Sequence, residues 1–301
     1  MRHRHELPDS SWQRIAHFFP PAGHRPRRGR PLEDHHRILN GILWRLHTGT
    51  PWRDIPQAYG SWETIYGRFR LWRRDGTWAN ILTSLLDDLR QRGRLGHDLW
   101  LVDATVVRAS RAAAGAKEHP VEIPCLGGPR RAQLQEPAKH ALGRSRGGFG
   151  TKVHLLVTDR GIILGIYVTP GQQHESTVFK PLLRRVLLRR RRGMPYWPAK
   201  LAGDKGYSYP HIRRWLRRHG VKAVIPYRKD QRPDDRRHRF DRPLYRKRAA
   251  VEQCVGWLKE NRAVGTRFDK LAVNYLAGVH LAMIRRYLRA LTANPDSADR
   301  T

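Results

Sequence analysis

Residues 97–110 read HDLWLVDATVVRAS, and the fold turns on them. A short apolar run rich in Val and Leu reads as a buried strand. Asp103 sits in its middle. Burying an unpaired carboxylate there would cost several kcal/mol, so Asp103 is either paired or held at a cleft where it binds a metal.

Downstream, residues 111–148 are rich in Ala, Gly, Pro and Arg, end in ALGRSRGGFG, and read as a long loop. GTKVHLLVTDRGIILGIYVTPGQ (150–172) makes a hairpin around Asp159, Arg160 and Gly161. STVFKPLLRRVLLRRRR (176–192) is a basic amphipathic helix with a Ser cap. AKLAGDKGYS (199–208) is a strand leading into a turn that presents Asp204. SYPHIRRWLRRHG is a helix with Pro210 near its start and Gly220 after it, and KAVIPYR is another strand. A basic loop, a helix from residue 245 and a last helix in KLAVNYLAGVHLAMIRRYLRALT follow. Strand, hairpin, helix, strand, helix, strand, helix is a mixed order that predicts an α/β layer with an antiparallel part.

Upstream, residues 1–95 read as a separate helical domain. LPDSSWQRIAHFFP offers an Asp/Ser N-cap before a short helix that Pro20 ends. The basic segment AGHRPRRGRP follows; it reads either as a short basic linker or, since its RPRRGRP core resembles minor-groove arms, as an arm whose Arg28 and Arg30 would enter a narrow groove. DHHRILNGILWRLHTG (34–49) is a helix closed by Gly49. Two more helices are broken at Gly60 and Gly76. Six of the ten Trp lie here (Trp12, Trp44, Trp52, Trp62, Trp72 and Trp78) and are expected in the domain's core. SWETIYGRFRLWRRDG has the look of a recognition helix: a Ser cap, apolar Ile65, Phe69 and Trp72, and Arg68, Arg70, Arg73 and Arg74 beside them. Arginines on a helix can reach both phosphates and guanine edges.

Charge points to the same partner. The 301 residues carry 59 Lys plus Arg against 26 Asp plus Glu, a net charge of +33. The natural counterpart is a polyanion, and nucleic acid comes first because neutralising phosphates releases counterions. The predominance of Arg over Lys reflects codon usage, which does not explain the excess over acids. No run approaches the ~20 apolar residues of a membrane span, and the first residues lack the apolar core of a signal peptide. Cys125 and Cys254 are isolated, so neither a disulfide framework nor a zinc site is indicated, and a cytoplasmic compartment fits.

Acids are scarce, so their positions carry weight. Asp204 lies at a strand end, where the carboxyl edge of a sheet often lines a site. The stretch 245–260, YRKRAAVEQCVGWLKE, reads as one helix. At about 100° per residue, Tyr245, Arg248, Glu252 and Lys259 then point within about 60° of one another. Transfer of a phosphodiester needs an activated hydroxyl and a stabilised leaving oxygen, which two Mg²⁺ ions supply. Mg²⁺ takes hard oxygen ligands, so Asp103, Asp204 and Glu252 from separate elements suffice. Arg248 and Lys259 could hold phosphates. HES (174–176), after the hairpin, could approach the active site, but a lone histidine is more often structural, and His154 and His174 read so.

These residues resemble the DDE transposases of bacterial insertion sequences, in the insertion-sequence-five group. That family's last motif is Y-x2-R-x3-E-x6-K, and Tyr245, Arg248, Glu252 and Lys259 stand at those spacings. VDATVV around Asp103 and AGDKGYS around Asp204 are similar to its first two motifs. ALGRSRGGFGTKVHLLVTD, TPGQQHES, RFDKLA and the N-terminal GRPLEDHHRILNGILWRLHTGTPWRDIP are also similar to family stretches, so the likeness runs from about residue 5 to 290. It implies a ribonuclease-H-like mixed sheet flanked by helices over 96–290, preceded by the small helical DNA-binding domain (helix-turn-helix-like) of 1–95 and followed by a polar tail at 291–301. Asp103 would lie on the first strand, Asp204 after the fourth and Glu252 on a late helix.

The resulting expectation is a Mg²⁺-dependent transposase, with Mn²⁺ able to substitute, that binds double-stranded DNA at terminal inverted repeats and joins cut ends to target DNA. Asp103, Asp204 and Glu252 would bind two ions. Tyr245, Arg248 and Lys259 would contact DNA near the scissile bond. Synapsis implies a homodimer in the bacterial cytoplasm, at the nucleoid, with no membrane partner. The alternatives weighed are a catalytically silent, transposase-derived repressor or architectural protein, a ribonuclease-H-like nuclease without strand transfer, and a basic ribosomal protein, which has no use for three metal-type carboxylates.

Overall fold

Apolar residues at helical spacing in the N-terminal region close into four helices. These are α1 (Asp9–Ile15), α2 (His35–Thr48), α3 (Trp62–Arg74) and α4 (Thr77–Gln91). The structure, a computed structural model, describes residues 5–20, 34–96, 98–115, 136–186, 196–231 and 240–292. It forms two units, one from Met1–Leu85, Ser110–His140 and Leu258–Thr301, the other from Leu86–Ala109 and Ala141–Trp257.

Helix α2 is built as its sequence dictates. Asp34 caps it by accepting from the His36 N–H at 2.9 Å, and Gly49, at φ 72°, ends it in the left-handed conformation that glycine adopts without strain. Ile38, Leu39, Ile42, Leu43 and Leu46 are buried. Two expected caps differ. The N-cap of α1 is Pro8, and Asp9 lies in the first turn, where its charge still favours the helix dipole. Ser61 stands at the N-cap of α3, but its hydroxyl donates to the Glu63 carboxylate. Trp72 and Trp78 are the core tryptophans, edge to face at 5.4 Å, with Phe19 against both. Trp12, Trp44, Trp52 and Trp62 are only part-buried.

The run around Asp103 forms β1 (Leu99–Ala109), followed by a short α5 (Arg111–Ala114). The expected loop contains a short strand, β2 (Gly143–Ser145), and the hairpin forms as β3 (Gly148–Thr158) and β4 (Ile163–Pro170), turning at Gly161 with φ 72°. Then come α6 (Glu175–Arg184), β5 (Lys200–Gly203), α7 (Pro210–Arg218), β6 (Lys222–Val224), α8 (Arg242–Arg246) and α9 (Ala249–Glu260).

Strand β3 pairs antiparallel with β1 on one edge and with β2 and β4 on the other; β1 pairs parallel with β5, and β5 parallel with β6. Leaving out the short β2, the spatial order is β4-β3-β1-β5-β6. Numbered by chain order, these five strands run 3-2-1-4-5, the ribonuclease-H-like arrangement expected. Asp204 follows the fourth of them.

Two local expectations change. The stretch 245–260 is not one helix: Lys247 and Arg248 form a turn between α8, capped by Asp241, and α9. The cap of α6 is His174 rather than Ser176.

The chain then returns to the first unit through α10 (Arg262–Gly265), β7 (Thr266–Arg267) and α11 (Ala272–Thr292). Helix α11 packs on α1, α2 and α3. Its first N–H groups, of Ala272 and Val273, donate to the Glu136 carboxylate at 2.6 and 3.0 Å. Arg28 and Arg30, most of 117–139, residues 187–192 of the expected basic helix, most of the basic loop before α8, and residues 293–301 of the tail lie outside the described residues. Among the described residues no helix is long and apolar enough to cross a membrane.

Candidate active site

Register builds the first part of the site. Strands β1 and β5 pair in parallel from Leu99↔Lys200 to Val102↔Gly203. Asp103 and Asp204 are the next residue on each strand. Neighbouring strands lie about 4.8 Å apart, so the ladder itself sets the two carboxylates side by side. Strand β1 continues against β3, with Asp103 opposite Leu155, whereas β5 stops and Asp204 opens a turn. The Asp204 Oδ1 accepts from the Gly206 N–H at 2.8 Å.

Asp103 is half-buried and doubly held. Its Oδ1 accepts from the Ala104 N–H at 2.9 Å, and its Oδ2 from Arg248 Nη2 at 3.0 Å. Arg248 Nη1 donates to Tyr245 Oη, also at 3.0 Å. Burial pushes the Asp103 carboxyl above its ordinary value, with Asp204 adding, while Arg248 and the Ala104 N–H pull the other way.

The structure thus brings together Asp103, Asp204, Arg248 and Tyr245. Glu252 lies one turn beyond Arg248 on α9, with an exposed side chain that has no hydrogen bond or ion pair among the described residues. Lys259 is exposed and belongs to the first unit, where it lines an open cavity of about 340 Å³ with Thr48, Arg262 and Phe268.

A further carboxylate joins the site, from the HES stretch that follows the hairpin. Glu175 is the first residue of α6, held by the His174 cap: His174 Nδ1 accepts from the Ser176 N–H at 3.2 Å, and its Nε2 meets Tyr209 Oη at 3.2 Å. A Cβ on Gly206 would overlap both Glu175 Oε2 and Asp204 Oδ1, so the two oxygens share the space that a side chain at 206 would fill. Lys152 Nζ, from β3, stands 3.5 Å from Glu175 Oε1. Burial pushes the Glu175 carboxyl up and Asp204 adds to it, against Lys152. The signal for Glu175 was an acid directly after a histidine at a helix start, in a chain short of acids.

Tyr207 follows Gly206 in the turn. It is fully buried, and its hydroxyl has no hydrogen-bond partner among the described residues. Burial, then the charges of Glu175, Asp103 and Asp204, raise its phenol well above the ordinary value. His154 is structural: its Nε2 meets Thr169 Oγ1 at 2.9 Å, and burial with the Lys152 charge pushes it down to about 3.

In the first unit, Arg70 and Arg74 project from α3 as exposed cations, with Leu71 exposed between them. Arg68 and Arg73 are half-buried, and the Arg73 Nε is buried without a partner.

The family described as "Transposase DDE domain" matches residues 94–288, which contain Asp103, Asp204, Tyr245, Arg248, Glu252 and Lys259. The chain belongs to this transposase family. Residues 7–82 match a second family, described as "Putative transposase of IS4/5 family". A protein of Sinorhizobium fredii, "Uncharacterized protein y4sN", is 34% identical over 112 residues, 37% of this chain and 82% of the relative. "Insertion element IS402 uncharacterized 16.2 kDa protein" of Burkholderia cepacia is 34% identical over 117 residues, 37% of this chain and 77% of the relative. The solved "Mos1 transposase paired-end complex with left transposon end" is 12% identical, with 79% of this chain and 82% of that chain covered and a TM-score of 0.24. The fold assignment rests on the strand order.

Proposed function

We propose that this transposase-family chain binds the terminal inverted repeats of an insertion sequence, cleaves the DNA there and joins the 3′ hydroxyls to target DNA. The observation that carries the reading is the register that sets Asp103, in the middle of β1, beside Asp204 at the carboxyl end of β5. Their environment suits a hard divalent cation: oxygen donors, the orphaned hydroxyl of Tyr207, and the cradle left by Gly206. Among the described residues, no three His, Cys, Asp or Glu side chains stand grouped as they would round a metal ion.

Asp103 and Asp204 are the proposed ligands of Mg²⁺, or of Mn²⁺ in its place, with Glu252 of α9 as the third carboxylate and two ions expected. Bound cations would activate the attacking hydroxyl or water and stabilise the leaving oxygen. Arg248, steadied by Tyr245, orients Asp103 and keeps its charge compensated in a half-buried position. Lys259 and the exposed Arg70 and Arg74 supply cations for DNA phosphates. Synapsis of two ends calls for at least a homodimer, working where bacterial DNA is, in the cytoplasm.

The test is a cleavage and strand-transfer assay on double-stranded DNA carrying the element's ends, with Mg²⁺, comparing wild type with Glu252→Gln. Wild-type cutting and joining, lost in a variant that still binds the ends, supports the reading. Binding without cutting by both proteins overturns it in favour of a silent DNA-binding protein. Nicking without joining leaves a nuclease.

A further inference from the structure

Glu175 lies outside the proposed ligand set, and yet its Oε2 comes up to the same point at Gly206 as the Oδ1 of Asp204. We infer that Glu175 acts with Asp103 and Asp204 to hold a divalent cation, with Tyr207 as the buried hydroxyl that serves the filled site. The inference rests on the reading of Asp103 and Asp204 as a metal centre, and it deepens that reading by adding a ligand.

Four observations converge. First, Glu175 is fixed in place by local structure, because its helix begins at a side-chain cap from His174 whose other ring nitrogen meets Tyr209. The cap fixes the backbone position from which the Glu175 side chain reaches the site.

Second, the turn after β5 is shaped for the encounter. Gly206 has an ordinary negative φ, so glycine is not needed there for backbone reasons. Its missing Cβ leaves room that the oxygens of Glu175 and Asp204 occupy, and a side chain there would have to displace them.

Third, the charges do not balance. Asp103 has Arg248 as its ion-pair partner and Glu175 has Lys152, at 3.0 and 3.5 Å. Asp204 makes no ion pair among the described residues; it accepts only the Gly206 N–H. Three carboxylates gathered in a part-buried space against two cations leave a negative excess, which is costly away from bulk water unless another cation enters.

Fourth, Tyr207 is fully buried, its hydroxyl has no partner among the described residues, and its strongest charged neighbours are Glu175, Asp103 and Asp204. A buried hydroxyl left unpaired costs about 1–3 kcal/mol, a cost removed when a ligand or its water enters. This orphan sits apart from the acidic cluster in origin, and it points to the same occupant. Lys152 then serves as the internal cation that holds Glu175 until a divalent ion replaces it.

The experiment uses the full chain bound to its end DNA and titrates Mn²⁺, reading free Mn²⁺ by electron paramagnetic resonance and cleavage in parallel. Wild type is compared with Glu175→Gln, Asp204→Asn and Lys152→Met. Glu175→Gln is expected to keep its circular dichroism and DNA binding, and to weaken Mn²⁺ binding roughly tenfold or more. Asp204→Asn should do the same. Lys152→Met, which removes the competing cation, should bind Mn²⁺ at least as tightly as wild type, and it guards against a Glu175→Gln chain that fails to fold. If Glu175→Gln binds Mn²⁺ like wild type while Asp204→Asn does not, Glu175 is only the counter-charge of Lys152 and the inference falls alone. A Lys152→Met chain that loses Mn²⁺ binding also overturns it. If wild type takes up no Mn²⁺ at all, the metal-centre reading falls first.

Discussion

The guanidinium of Arg248 bridges Tyr245 Oη and Asp103 Oδ2, each at 3.0 Å, so that a tyrosine and an arginine close in sequence act on a carboxylate 145 residues away from Arg248. Two members of the Y-x2-R-x3-E-x6-K spacing are thereby tied to the first aspartate from within the unit. In this arrangement Arg248 fixes the charge and orientation of Asp103.

Replacing Arg248 by Gln should leave Asp103 half-buried without its ion-pair partner. The stability cost is expected at about 1–3 kcal/mol, measured by denaturant unfolding. Cleavage should fall by roughly 10²-fold, because a displaced active-site group costs about that much. Tyr245→Phe, which keeps the ring and removes only the hydroxyl, should lose less than Arg248→Gln. Equal losses in both variants would show that the tyrosine contributes more than a steadying contact.

Gly206→Ala is predicted to separate folding from chemistry. The added methyl meets Glu175 and Asp204 side-chain oxygens rather than backbone, so the turn can survive while the carboxylates are pushed apart. End binding in a gel-shift assay should match wild type, and cleavage should drop by about 10²-fold or more. Full activity in this variant would show that the two carboxylates need not meet.

Acid should weaken the second unit through His154. Its folded-state value is lowered from 6.5 to about 3 by burial first and by Lys152 second. Between those values the unfolded chain binds a proton that the folded one refuses, so stability is full above the unfolded value and falls as pH drops through that window. The slope is at most about 1.4 kcal/mol per pH unit for one group. Asp103 and Glu175, whose values are raised, take up protons in the folded state and act in the opposite sense. Thermal melting of wild type and His154→Gln across this range isolates the histidine: the variant's curve should be flatter, and parallel curves would remove His154 as the cause.

DNA binding should be strongly salt-dependent, as a net charge of +33 requires. Arg70→Ala with Arg74→Ala removes two exposed cations of α3. If both meet phosphates, the slope of log affinity against log salt should become shallower by about 1.8, as fluorescence anisotropy can measure. An unchanged slope would place the DNA on another face.

Much of the second unit was legible because its strands are apolar runs bounded by turn residues. Asp103 and Asp204 stood out for a related reason, as acids at strand positions in a basic chain. The helical wheel over 245–260 was less faithful, because Lys247 and Arg248 form a turn and break its phase. That break belongs to the geometry that carries Arg248 to Asp103, a contact set by tertiary packing that local spacing cannot show. Glu175 was hidden for the same physical reason. Its meeting with Asp204 depends on a capping histidine and on a missing Cβ some thirty residues along the chain, and neither has a periodic signature. On α3, the alternation that buries Phe69 and Trp72 also draws Arg73 partly inward and leaves Arg70 and Arg74 outside.

The docking of α11 onto α1, α2 and α3 has a consequence for the order of events during synthesis. Helices α1, α2 and α3 bury apolar faces against a helix that begins only at Ala272. The first unit therefore cannot finish its core until the chain has been translated past residue 272, and the intervening unit, whose β1–β5 pairing spans about a hundred residues, has time to close first. A message cut short before residue 272 would yield a chain whose N-terminal helices lack their cover. The first unit would then be the last part of the fold to complete its core, after the sheet that carries Asp103 and Asp204.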